Sequence, residues 1–148
     1  MKKMEVMIRA DGAVVFVKPA KMPCVRGDGK AMEFDWTMTT IADSVSFTYT
    51  IVGEASMPVD SVRFIWETPE KIRFSRATEK VYEEPKGDKW IYRRRALLSK
   101  DEFDRFADAP LPPEVETGAY SFRIKPSEWK DRSVVYNTAI EIINRNKK

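Results

Sequence analysis

The chain has 148 residues, 43% of them hydrophobic and 11% aromatic, with 26 Lys and Arg against 23 Asp and Glu for a net charge of +3. That size and apolar content describe a single globular domain over residues 1–148, able to bury a core without disulfides or metal, and so small a net charge implies no polyanionic partner by itself. There is no histidine and one cysteine, Cys24, which excludes a Cys/His zinc site, a Ser-His-Asp triad and a Cys-His nucleophile pair within the chain.

The opening Met1-Lys2-Lys3-Met4-Glu5-Val6 is basic but meets Arg9 and Asp11 before an apolar stretch develops, so it does not read as a signal peptide. With one cysteine and no disulfide framework, cytoplasmic placement is the default expectation, export the alternative if a leader has been removed. No apolar run approaches the roughly 20 residues that span a bilayer, so no membrane span is expected.

Met4 to Ile8 and Ala13 to Val17 flank Asp11-Gly12, a dipeptide that favours tight hairpin turns. The second segment is apolar on both faces and reads as a central or covered strand. Lys18 to Lys30, with Pro19, Pro23, Gly27 and Gly29, reads as a loop. Its Arg26-Gly27-Asp28 tripeptide is taken as a turn, and it lacks the spacing of a phosphate-binding loop. Cys24 has Lys21 and Arg26 near it in sequence but no histidine to serve as its base.

Met32 to Thr39 alternates apolar even positions with polar odd ones, and the alternation resumes with Val45, Phe47, Tyr49 and Ile51, so the two segments predict a hairpin. Thr37, Thr39, Thr48 and Thr50 form its polar face. Shorter strand patterns follow at Val62, Phe64, Trp66; at Ile72, Phe74; at Trp90, Tyr92; and at Tyr120, Phe122, Ile124. Ser99-Lys100-Asp101-Glu102 has capping-box spacing, with Phe103, Phe106 and Ala107 on one face and Pro110 ending a short helix near 100–108. Pro110 to Gly118 reads as a loop. From Ser127 to Asn146, Trp129, Ser133, Tyr136, Ile140 and Ile143 form the buried stripe of a C-terminal helix, with acids early and bases late as the helix dipole favours. A strand over Ser133 to Ile143 is the rival reading.

The expected fold is mainly β, of the α+β kind: an antiparallel sandwich or open barrel with these two helices. An order of about eight strands, a helix and one more strand resembles the lipocalin arrangement, although the Gly-x-Trp signature of that family is absent. The resemblance implies a barrel carrying a small apolar ligand, here with Phe34, Trp36, Phe47, Tyr49, Phe64, Trp66, Tyr120 and Phe122 as its lining.

Charge is polarised along the chain. Residues 31–62 hold five acids and no base, and residues 71–95 hold nine bases and four acids. Basic strands beside acidic ones would pair across the solvent face. Within the basic stretch, Trp90, Tyr92, Arg93, Arg94 and Arg95 are the candidate ligand- or partner-binding residues. In a strand, Arg93 and Arg95 share a face with Ile91, and Arg94 shares the other with Trp90 and Tyr92. Arginines beside aromatics on a sheet are the chemistry of single-stranded nucleic acid binding. Carboxylate catalysis by Glu33, Asp35, Glu67 and Glu70 is the enzymatic route that remains, against the plainer reading of Glu33 and Asp35 as solvated side chains. Neither a metal, a cofactor nor a catalytic residue is expected. The leading expectation is a non-catalytic module that recognises protein through a sheet face or edge. A carrier of a small apolar ligand and a single-stranded nucleic acid binder are the alternatives.

Overall fold

The computed structural model describes residues 3–66 and 72–146. The alternating segments form two antiparallel sheets. Sheet A has the order β1-β2-β4-β5-β9-β8, with β1 Met4–Arg9, β2 Gly12–Met22, β4 Met32–Thr39, β5 Ser44–Gly53, β8 Glu79–Lys86 and β9 Lys89–Ser99. Sheet B has the order β3-β11-β10-β6-β7, with β3 Cys24–Arg26, β6 Ser61–Ile65, β7 Arg73–Ala77, β10 Glu114–Thr117 and β11 Tyr120–Phe122. Helices α1 (Lys100–Asp108) and α2 (Pro126–Arg145) complete the described residues. The fold is thus the mainly β arrangement with a short helix and a C-terminal helix that the patterning predicts.

Period-two alternation decides which face of sheet A is inner. Val15 and Val17 of β2, Phe34, Trp36 and Met38 of β4, and Val45, Phe47, Tyr49 and Ile51 of β5 are all buried. Trp36 sits at the centre, its ring centroid 4.7 Å from both Phe47 and Phe103 and 4.9 Å from Phe106. Phe47 meets Phe64 of β6 at 5.4 Å, and Tyr49 shares a hydrogen bond with Thr117 of β10, which joins the two sheets. On α1, Ser99 accepts from the Glu102 amide and Glu102 accepts from the Ser99 amide, the capping box its sequence encodes. The helix therefore begins in the register that buries Phe103, Phe106 and Ala107. Along α2, Trp129, Tyr136, Ala139 and Ile143 are buried and Ser133 and Ile140 half-buried, so the C-terminal segment is helix and not the rival strand.

Three segments differ from expectation. The stretch Lys18–Lys30 is not a loop throughout: β2 runs on through Pro19 to Met22, and Cys24–Arg26 pairs with β11. A register shift between Val17 and Ala20 accommodates Pro19, which has no amide to donate to the ladder. Within Pro110–Gly118, Glu114–Thr117 is a strand between β6 and β11, too short to show a period in the sequence. Glu79–Lys86 is a further strand, on the edge of sheet A, and its charges conceal it because an edge strand has little apolar surface to bury. Among the described residues nine strands precede α1 and two follow it, divided between two sheets, an order unlike the one that suggested a lipocalin.

Candidate functional site

The five residues singled out by sequence lie together on β9, and the structure gives each of them a partner. Arg93 donates to Asp35 Oδ2 at 3.0 Å and to Thr50 Oγ1 at 2.9 Å. Arg94, which lies on the opposite face, donates to Glu83 at 3.0 Å and to the Thr78 hydroxyl and carbonyl at 3.0 and 2.9 Å. Arg95 pairs with Glu79. Tyr92 is buried, and its hydroxyl accepts from the Met57 amide and donates to the Glu54 carbonyl. Trp90 is half-buried and packs against the core. The charge polarity of the sequence is thus partly matched across strands, Asp35 with Arg93 and Glu54 with Lys89, and partly within the basic stretch itself, where β8 supplies the acids for Arg94 and Arg95.

Asp35 departs from the solvated reading. Its residue is 5% exposed, and burial raises its carboxyl above the ordinary value while the hydrogen bond and charge of Arg93 pull it back down. The cause is its place on a central strand, opposite Thr48 and under the Arg93 guanidinium, a setting that alternation alone does not reveal. Glu33 remains exposed. Glu67 and Glu70 lie outside the described residues, and so does Lys71 of the basic stretch. No group of three or more acids and thiols among the described residues is placed to hold a metal ion. Likewise, no helix among them is long and apolar enough to cross a membrane.

Free charge lies beside the arginines. Register places Lys21, Glu33, Thr50, Arg93 and Tyr82 in one transverse row over five strands of the outer face of sheet A. A depression of about 320 Å³ opens along this row, bordered by Lys21, Lys30 and Lys86 and floored by Val52 and Ile91. Each of the three lysines is exposed, and none has a carboxylate within 4 Å among the described residues. Tyr82, at the edge of the depression, is 42% exposed.

The aromatic set proposed for a cavity lining is buried and in mutual contact instead. Phe34, Trp36, Phe47, Tyr49, Phe64 and Trp66 form a chain of ring contacts, and Tyr120 packs on Phe122. A cavity of about 100 Å³ lies elsewhere, at the helical end between Met38, Val45, Phe103, Ile140 and Ile143, below the roughly 300–1,000 Å³ usual for ligand pockets. In the Arg26-Gly27-Asp28 turn, Gly27 has φ +94 and a Cβ there would strike the Tyr120 ring, while Arg26 reaches Glu116 at 3.3 Å. Arg26 is thus held in sheet B, while Gly27 and Asp28 form the exposed bend that follows β3.

The edges of sheet A differ in a way that the sequence does not announce. Edge strand β8 carries Pro85, a register shift between Lys80 and Tyr82, and five charges. Edge strand β1 has unbroken register with β2 from Met4↔Val17 to Arg9↔Gly12, no proline, and three successive exposed apolar residues: Val6 at 43%, Met7 at 54% and Ile8 at 64%. The Lys18 amide donates to the Lys3 carbonyl at 2.9 Å. Because antiparallel ladders alternate, this bond directs the backbone groups of Glu5, Met7 and Arg9 toward β2 and those of Met4, Val6 and Ile8 away from it. Comparison with protein-family models, curated proteins and solved structures gives no match for the chain.

Proposed function

We propose that the protein is a recognition module that binds an extended protein segment by strand addition to β1. The observation that carries this reading is the contrast between the two edges of sheet A. Proteins guard exposed edges with charge, proline, bulges or short strands, because unpaired backbone groups recruit further strands. On β8 a proline, a register shift and five charges are present, whereas β1 has neither proline nor register shift and only two charges, Glu5 and Arg9, at either end of an exposed apolar run. Main-chain bonds to Met4, Val6 and Ile8 would supply affinity, and side chains alternating beside Val6 and Ile8 would supply selectivity.

The test is a peptide-display selection on the wild-type chain and on Val6→Pro. The Val6 amide points away from β2, so proline removes an outward donor without breaking the hairpin ladder. Peptides that bind wild type, lose binding to Val6→Pro and shift the amide resonances of Met4, Val6 and Ile8 are the expected result. Binders indifferent to the proline refute it, and so does failure to select binders with a chain that is monomeric under the selection conditions.

A second reading has one observation in its favour. The depression beside Arg93, with Lys21, Lys30 and Lys86 free of carboxylate partners among the described residues and Tyr82 at its edge, offers phosphate-binding charge and a stacking ring. It moves the single-stranded nucleic acid alternative from Arg93–Arg95, which already hold carboxylates, to the neighbouring lysines. Oligonucleotide titration at two salt concentrations decides it: binding must weaken as salt rises and vanish in the triple variant K21E/K30E/K86E.

A further inference from the structure

We infer that the strand which β1 accepts is β1 of a second copy of this chain, so that two six-stranded sheets join into one across a two-fold axis at Met7. The inference rests on the edge reading above and names its partner. Its basis is the self-complementarity of Met4-Glu5-Val6-Met7-Ile8-Arg9 when paired antiparallel with itself.

Free outward groups must face free outward groups, so within β1 the outward residues Met4, Val6 and Ile8 can be matched only with outward residues of the partner. An axis at Met7 sets Val6 opposite the partner's Ile8, and each such pair exchanges two main-chain hydrogen bonds. The same axis sets Glu5 opposite the partner's Arg9, twice, on the outer face. The neighbouring registers lack this charge match: an axis at Val6 pairs three outward residues instead of two but sets Lys3 against the partner's Arg9, and an axis at Glu5 sets Glu5 against its own copy. Charge therefore selects the Met7 register, while apolar contact and main-chain bonds hold it.

The isolated chain leaves these groups ready. Arg9 has no carboxylate partner among the described residues, and its guanidinium rests on the Met7 sulfur at 3.2 and 3.3 Å. Glu5 is two-thirds exposed and meets Lys18 at 3.6 Å, a pair that leaves its second oxygen open. Val6 and Ile8 stand opposite the buried Val15 and Ala13, so they face the core side of the sheet, where the apolar layer ends without covering them. A second β1 continues that layer, with the partner's Ile8 and Val6 placed beside Val6 and Ile8. Isologous pairing of this kind closes at two copies and leaves no free β1 edge.

Sedimentation equilibrium of the full chain tests the inference, with the expected mass rising from 17.1 kDa to twice that value with concentration. Glu5→Arg and Arg9→Glu each replace two attractive contacts with two repulsive ones, and each weakens self-association about tenfold or more. Their equimolar mixture forms a heterodimer, since one chain then presents two arginines and the other two glutamates, and the double variant E5R/R9E dimerises again. Both positions are exposed, so thermal unfolding of the variants stays close to wild type. A chain monomeric at every concentration overturns the second copy as partner and leaves the edge reading to the peptide selection. A dimer indifferent to both charge reversals overturns the register. A dimer that survives Val6→Pro overturns the use of the edge altogether.

Discussion

Arg93 and Asp35 provide the sharpest test of how charge is held on the outer face of sheet A. Replacing Arg93 with methionine keeps the aliphatic stem and removes the guanidinium, which leaves a carboxylate 5% exposed without its cation. Breaking a buried pair in this way costs about 3–5 kcal/mol. Because the Arg93 side chain is 26% exposed, water already carries part of the interaction, and the expected loss at pH 7 is about 2–3 kcal/mol. The sign of the pH dependence follows from Asp35. Burial raises its folded-state pKa above 3.8, and losing Arg93 raises it further. In the window between the unfolded and folded values the native state binds more protons, so stability falls as pH rises through that window. The part of the Arg93→Met penalty that comes from the unpaired carboxylate is therefore full above the folded pKa and absent below the unfolded one, while the lost bond to Thr50 remains at every pH.

Urea unfolding followed by tryptophan fluorescence measures this directly. The deficit of Arg93→Met relative to wild type should shrink as pH is lowered from 7 toward the carboxylate range. Adding Asp35→Asn should recover much of it even at pH 7, since a neutral amide no longer demands a counter-charge, and the double-mutant cycle then reports the coupling. An Arg93→Met protein within about 0.5 kcal/mol of wild type at pH 7, or one whose deficit ignores both pH and Asp35→Asn, refutes the argument.

Other substitutions probe the fold, each by chemical or thermal denaturation. Trp36→Ala empties the centre of the aromatic cluster and should cost about 3–5 kcal/mol. Ser99→Ala removes one arm of the capping box, for about 1 kcal/mol. Glu102→Ala should cost more than Ser99→Ala, because Glu102 also pairs with Arg76 of β7 and thereby ties α1 to sheet B. Gly12→Ala should destabilise by more than 1 kcal/mol: its φ is +149 and a Cβ would run into Thr40 Oγ1, which accepts from the Ala13 amide. Thr40→Ala should relieve the clash but not the backbone strain, so the double variant recovers only partly.

Much of the architecture is legible in local pattern. Alternation through Met32–Thr39 and Val45–Ile51 marks the central hairpin because a strand with one buried face must alternate. The Ser99/Glu102 spacing sets the first turn of α1, and the long stripe from Trp129 to Ile143 gives α2. Strands β3, β10 and β8 escape notice for definite reasons. The first two have three and four residues, too few to establish a period, and β8 is an edge whose charges need no burial. Within the candidate site, the face assignments of Arg93, Arg94 and Arg95 follow from strand geometry, but their partners do not.

By itself, then, the sequence determined the sheet faces, the helix starts and the chemistry that a chain without histidine lacks, because these depend on neighbours a few residues apart. Tertiary structure decided where charge and backbone remain unsatisfied. Arg93 finds Asp35 across 58 positions of chain, and this contact gives a candidate binding arginine a carboxylate partner and makes an apparent solvated acid a buried one. The open edge at β1 is likewise invisible locally: Met4–Arg9 reads as an ordinary half of a hairpin, and only the strand order shows that no strand among the described residues pairs with its other side. Such a vacancy is a property of the assembled sheet, since a strand's free hydrogen-bonding groups are defined by which neighbours it has and which it lacks.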